Sequence, residues 1–267
     1  MTKITKPIII VGTGRCGSTV FHRLLAKHPG VMWLSGFCDR YPTRPAWNRR
    51  AVTAMGNPVL RRLLGGRIQP GECYEFWDKH AYGFSEPCRD LVATDVTARV
   101  KKQVRATMEA MLTPARSRLL VKITGWPRIG FLNEIFEDAK FIHILRDGRA
   151  VASSLLHVNF WRGWYGPHGW RAGLLSPEDQ ATWEGYDRSF TVLAGLEWRI
   201  PFELAGSQIE VGGEIGIQGS DLWPRPLTTP QDIPSAKLEW VQPKALCRLV
   251  HLGFTRQRDL RRAEAAE

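Results

Sequence analysis

Residues 8–19, Ile-Ile-Ile-Val-Gly-Thr-Gly-Arg-Cys-Gly-Ser-Thr, constrain this chain more than any other stretch. Four branched apolar residues followed by three glycines in six positions predict a buried strand running straight into a tight turn, with a helix opening behind it. In a nucleoside-triphosphate loop of the form G-x-x-x-x-G-K-[ST], backbone N–H groups cradle phosphates, the lysine meets the terminal phosphates and the last hydroxyl holds magnesium. Gly12, Gly17 and Thr19 fit that pattern, but Ser18 stands where the lysine belongs and the nearest cation, Arg15, lies inside the turn. The loop can neutralise an anion, yet it lacks the usual contact to a magnesium-bound triphosphate. Gly12, Gly14 and Gly17 also satisfy the dinucleotide spacing G-x-G-x-x-G. That reading needs an acid at the end of the next strand. Here the apolar run Val31 to Leu34 ends in Ser35 and Gly36, and the first acid is Asp39. A purely structural turn is the third reading of the same glycines.

A second segment narrows the choice. Phe141 to Leu145 form a short apolar run suited to a parallel strand, and Asp147 is placed to cap a helix carrying Val151, Leu155 and Val158 on one face. Arg146 therefore falls at a strand's carboxyl end, where open α/β sheets bind ligands. Ser154, eight residues on, lies about two turns into the helix. The sober alternative is a surface ion pair beside a capped helix start. A third segment, Leu119 to Thr124, reads as a strand carrying Lys122 and followed by Gly125-Trp126-Pro127.

Together these segments resemble the sulfotransferases that use 3'-phosphoadenosine 5'-phosphosulfate (PAPS). The resemblance implies an α/β fold, a three-layer P-loop-like parallel sheet flanked by helices, with helical and loop insertions on the acceptor side. It implies that Arg15, Gly17, Ser18 and Thr19, with Cys16 in the same turn, bind the 5'-phosphosulfate, that Arg146 and Ser154 bind the 3'-phosphate, and that Lys122 points at the sulfuryl group. PAPS would be the co-substrate and no metal is expected. The implied reaction moves the sulfuryl group to an acceptor hydroxyl or amine by in-line displacement, with Arg15 and Lys122 stabilising charge. A base is also required. Asp39, the nearest carboxylate after the second strand, is the first candidate, with Glu75 and His80 in reserve. The other function classes are a noncatalytic nucleotide-binding relative and, disfavoured by Ser18, a P-loop kinase.

Composition sets wider bounds. At 267 residues and 43% hydrophobic content the chain can bury a full core, and one sulfotransferase-like domain over 1–267 is expected. A formal charge of +11 favours acidic partners. The basic residues are scattered, and no zinc-finger or RNP-like pattern supports nucleic-acid binding. The partner that the resemblance implies is a small-molecule or carbohydrate acceptor. Five irregularly spaced cysteines suggest neither a disulfide framework nor a metal cluster. Cys16 reads as a small filler, or as a thiol activated by Arg15. No apolar run reaches the length of a signal-peptide core or a membrane span, unlike the Golgi-anchored members of the family, which favours a soluble, cytoplasmic protein.

Further along, Ser18 to Lys27 is predicted helical with Val20, Phe21, Leu24 and Leu25 inward. Residues 35–90, rich in turns and aromatics such as Trp47, Tyr74, Phe76, Trp77, Tyr82 and Phe84, suit either an acceptor-binding cap or a peripheral helical core. Thr97 to Leu112 reads as a basic amphipathic helix with Val100, Val104, Met108 and Met111 on one side, and Trp183 to Leu204 as one helix. The aromatic loop from Phe160 to Arg171 can line an acceptor pocket or anchor itself on the core. The glycine- and proline-rich end, about 206–267, departs from the family: only Gly219-Ser220-Asp221-Leu222 with Pro226, and Val250 to Phe254, echo its motifs. It reads as divergent or frame-disturbed.

Overall fold

The computed structural model describes residues 2–85, 89–167 and 175–212, all within one compact unit, Met1–Ile217, and excluding the side chains of 209–212. The predicted departures from residue 213 onward, and His168 to Arg171 of the aromatic loop, lie outside the described residues.

Among the described residues, four parallel strands form one sheet in the order β2-β3-β1-β4, with β1 Ile8–Gly12, β2 Val31–Trp33, β3 Arg118–Thr124 and β4 Lys140–Ile144. Burial on both faces explains the continuous branched run of β1, in which Ile9, Ile10 and Val11 are fully buried. The register pairs Gly12 with Thr124 on one side and with Ile144 on the other. The carboxyl ends of three strands are thus level, and the three segments singled out in the sequence all leave the sheet at one edge. The expected α/β architecture, a parallel sheet flanked by helices, is what forms.

Helix α1, Ser18–Leu25, follows the glycine turn. Its inward face differs from expectation: Val20 and Leu24 are exposed, whereas Ser18 and His22 are buried and Phe21 and Leu25 half-buried against the core. At about 100° per residue, Phe21, Leu25, Ser18 and His22 share one arc and Val20 and Leu24 oppose it. A hydroxyl and an imidazole took places that hydropathy alone assigned to leucine and valine.

Between β2 and β3 run α2 Gly36–Arg40, α3 Pro45–Ala54, α4 Pro58–Leu64, α5 Tyr74–His80 and α6 Ala98–Glu109. Phe76, Trp77 and Phe84 are fully buried, with Trp77 and Phe84 stacked at 4.7 Å, so these three aromatics of the insertion form a core, whereas Tyr74 lines the cavity and Trp47 and Tyr82 are exposed. Thr97 caps α6 by accepting from Val100 N–H at 3.2 Å, and Val104 and Met108 of α6 and Met111 just beyond it are buried as the periodicity required.

After α7 Ile129–Ile135 and β4 come α8 Gly148–Leu156, α9 Pro177–Gly185 and α10 Phe190–Gly212. The single helix expected from Trp183 to Leu204 is therefore two. Asp187 and Arg188 adopt left-handed φ of 52° and 55°, which no continuing helix tolerates, and Arg188 N–H folds back onto the Trp183 carbonyl at 3.0 Å. Helix α10 packs on α8 through Trp198, where a Cβ on Gly148 would come within 2.6 Å of the indole. Glycine is what lets the two helices approach so closely.

Candidate functional site

The loop between β1 and α1 turns through two left-handed residues, Arg15 at φ 66° and Gly17 at φ 91°. Gly17 opens α1, whose first turn brings the positive end of a helix dipole to the space above the sheet. Arg15 pays no glycine discount for its conformation, a mark of a position constrained by something other than propensity. Gly12 sits against Ile144 of β4, with 2.8 Å from a hypothetical Cβ to its carbonyl oxygen. Cys16 is fully buried behind the turn, and burial pushes its thiol pKa up, so the idea of an Arg15-activated thiol is not met.

The glycine turn after β1 and the segment after β4 meet directly. Arg15 Nε donates to Ser154 Oγ at 2.9 Å, and an Arg146 guanidinium N–H donates to the Arg15 carbonyl at 2.9 Å. Asp147 does not pair with its neighbour Arg146. It caps α8 through the N–H groups of Arg149 and Ala150 and forms an ion pair with Arg149, which holds its carboxyl pKa down. Arg146 is left facing the loop.

On the opposite side of β1, Lys122 is buried in β3 with its ammonium 2.6 Å from Glu72 Oε1, and it donates to Thr19 Oγ1 at 3.0 Å. Thr124 Oγ1 donates to Glu72 Oε2 at 2.8 Å. Burial raises the Glu72 pKa, but Lys122 and hydrogen bonds from Tyr74 and Thr124 outweigh it, and the net shift is downward. Glu72 was absent from the sequence-derived candidates. It lies in the non-periodic stretch Gly71-Glu72-Cys73 and is carried to the sheet edge by the bridge between Ser35 and Pro70 and by Gly71 N–H on the Leu34 carbonyl. The one signal pointing to it was Lys122 itself, because an ammonium inside an apolar strand demands a buried carboxylate.

His22 lies beneath this group, buried, with neither ring nitrogen hydrogen-bonded among the described residues. Burial, reinforced by the Lys122 charge, lowers its pKa to about 3, so it is neutral.

Above these residues opens a cavity of about 860 Å³, lined on one side by Gly14, Arg15, Ser18, Thr19, Arg146 and Leu155, and on the other by Asp39, Glu72, Tyr74 and Glu75, with Lys122 at its floor and Phe160 and Trp161 at its wall. Asp39 is half-buried in the first turn of α2, its carboxyl pKa raised by burial, and it accepts from Phe76 N–H at 3.4 Å. Glu75 reaches the same cavity from an exposed position. His80 does not: it is buried in the insertion with Nε2 3.1 Å from the Pro42 carbonyl oxygen. Among the described residues no group of His, Cys, Asp and Glu could hold a metal ion, and no helix is long and apolar enough to cross a membrane.

The family model described as "Sulfotransferase family" matches residues 7–184. Two solved structures are similar. The sulfotransferase STF1 from Mycobacterium tuberculosis H37Rv shares 18% identity over 78% of this chain and 60% of its own, with a TM-score of 0.38. The sulfotransferase STF9 from Mycobacterium avium shares 16% identity over 94% of this chain and 69% of its own, with a TM-score of 0.40. No curated protein matches.

Proposed function

Because this chain belongs to the sulfotransferase family, we propose that it transfers a sulfuryl group from PAPS to an acceptor hydroxyl or amine, with Glu72 rather than Asp39 as the base. The observation that carries this reading is the contact between Lys122 and Glu72 at the cavity floor, 2.6 Å apart and next to the Thr19 hydroxyl of the phosphate loop. A cation aimed at the sulfuryl group and a carboxylate touching that cation bracket the place where an acceptor oxygen must stand.

The donor is a substrate, and the residues suit it. The turn at Arg15 and Gly17 and the start of α1 offer N–H groups to the 5'-phosphosulfate, Thr19 adds a hydroxyl, and Arg146 with Ser154 supplies a cation and a donor for the 3'-phosphate. In the reaction the acceptor oxygen or nitrogen attacks sulfur while the bond from sulfur to the bridging phosphate oxygen breaks. That electron pair leaves on adenosine 3',5'-bisphosphate. Lys122 and Arg15 stabilise the growing negative charge, each well-placed donor contributing roughly 3 kcal/mol to the barrier reduction. The acceptor's proton passes to Glu72, whose carboxylate Lys122 and its hydrogen bonds keep ionised against the opposing effect of burial. Before the donor binds, Lys122 occupies that carboxylate. Attraction of Lys122 to the donor's phosphosulfate loosens the pair and frees Glu72 as the site fills.

Calorimetric titration with adenosine 3',5'-bisphosphate tests the donor site, with ADP plus magnesium and NAD as controls. Selective binding of the bisphosphate, followed by transfer of radiolabelled sulfuryl from PAPS to a panel of phenols, alcohols, amines and sugars, is the expected result. Selective binding without any transfer would instead establish a noncatalytic nucleotide-binding protein, and preference for magnesium ADP would restore the kinase reading.

A further inference from the structure

We propose that α4 and the arginine-rich segment around it form a docking surface for anionic lipid membranes. Gly56 to Leu63 are eight consecutive exposed residues, and no residue of α4 is buried. Val59 and Leu63 are 65% and 70% exposed and Leu60 is 37% exposed, on a helix that is nonetheless well defined: Asn57 Oδ1 accepts from the N–H groups of Val59 and Leu60, and Pro58 occupies the first helical position. At about 100° per residue, Val59, Leu63 and Leu60 share one arc, with Arg62 on one flank and Arg61 on the other. Leu64, at the inner end of that arc, packs against the core and fixes the helix by one edge.

Charge selects the partner. Residues 40–71 contain seven arginines and no Asp, Glu or Lys, and all seven arginines are exposed. None of them forms an ion pair with a carboxylate among the described residues. An apolar arc flanked by arginines matches a surface that offers hydrocarbon beneath a layer of negative charge, which is an anionic bilayer. A second copy of this patch would repel the first, and a duplex nucleic acid would have no use for the exposed valine and leucines. The segment leads within seven residues of Leu64 to Pro70 and Gly71 at the cavity wall, so docking would hold the cavity close to the lipid surface.

The test is co-sedimentation of the full chain with vesicles of phosphatidylcholine alone or of equal parts phosphatidylcholine and phosphatidylglycerol. Binding to the second and not the first is expected, falling with added salt. Arg61→Gln with Arg62→Gln should weaken it about tenfold or more, and Leu60→Ser with Leu63→Ser should abolish it while the circular-dichroism melt stays unchanged. Equal sedimentation of wild type and both variants would overturn the proposal. So would a wild-type dimer that the leucine variant dissociates without vesicle binding, or binding to duplex DNA in preference to the vesicles.

Discussion

Replacing Glu72 by Gln tests the cavity floor most severely, because the same contact is assigned a structural and a chemical role. The side chain of Lys122 is only 5% exposed, and that of Glu72 19%. Glutamine keeps an oxygen for Thr124 but removes the charge opposite a buried ammonium, and breaking one partner of such a pair costs about 3 kcal/mol. For a unit of this size, that lowers Tm by about 6–12 °C. Turnover should fall about 100- to 10,000-fold through loss of the base, while binding of adenosine 3',5'-bisphosphate should persist because Glu72 is not among the groups proposed to hold it. The double variant Glu72→Gln, Lys122→Met separates the two roles. With both charges gone, stability should return to within about 1 kcal/mol of wild type, and turnover should stay low. Denaturant titration and the radiolabel transfer assay read the two quantities. Turnover of Glu72→Gln within about threefold of wild type would remove Glu72 as base and return Asp39 to consideration. Failure of the double variant to recover stability would refute the buried ion pair itself.

Arg146→Ala should weaken adenosine 3',5'-bisphosphate by about 100-fold, the scale of a lost charge-assisted contact, and leave AMP nearly unchanged; equal loss for both in calorimetry would detach Arg146 from the 3'-phosphate. His22 has its pKa lowered to about 3, and His143 to about 4, both by burial. The unfolded chain therefore binds more protons between those values and about 6.5, so stability is fully present above pH 6.5 and falls on acidification by about 1.4 kcal/mol per pH unit for each histidine. His22→Leu should flatten that slope in urea titrations across pH 4–7, and an unchanged slope would mean that His22 charges freely in the folded protein. Gly148→Ala places a methyl group 2.6 Å from the Trp198 ring and should cost about 2 kcal/mol or more in denaturant unfolding; a neutral result would show that α8 and α10 slide apart readily.

The parts legible in the sequence were those written in contiguous residues. The branched run of β1, its glycine turn, Arg146 after β4 with Asp147 as helix cap, and Lys122 in β3 each announce their place through local pattern. What escaped was set by contacts distant in sequence. Glu72 lies 50 residues before Lys122 in a stretch without periodicity, and only tertiary folding brings the two within 2.6 Å. The face of α1 was misjudged because the group beneath the loop buries an imidazole and a hydroxyl, which hydropathy ranks below the valine and leucine left outside. The break between α9 and α10 rests on left-handed Asp187 and Arg188; aspartate visits that conformation more readily than most residues, but arginine carries no mark of it.

The strand order has a consequence for the chain during synthesis. β1 lies between β3 and β4, so it finds neither of these neighbours until residues 118–124 have appeared more than a hundred positions later, and the second only at 140–144. Pairings of such high sequence separation form slowly. They also mean that a chain not yet extended past residue 154 lacks the Arg15 to Ser154 contact. An adenosine 3',5'-bisphosphate ligand would consequently recognise only chains completed beyond α8, and on ribosome-stalled chains of graded length its capture would mark the moment at which the sheet closes.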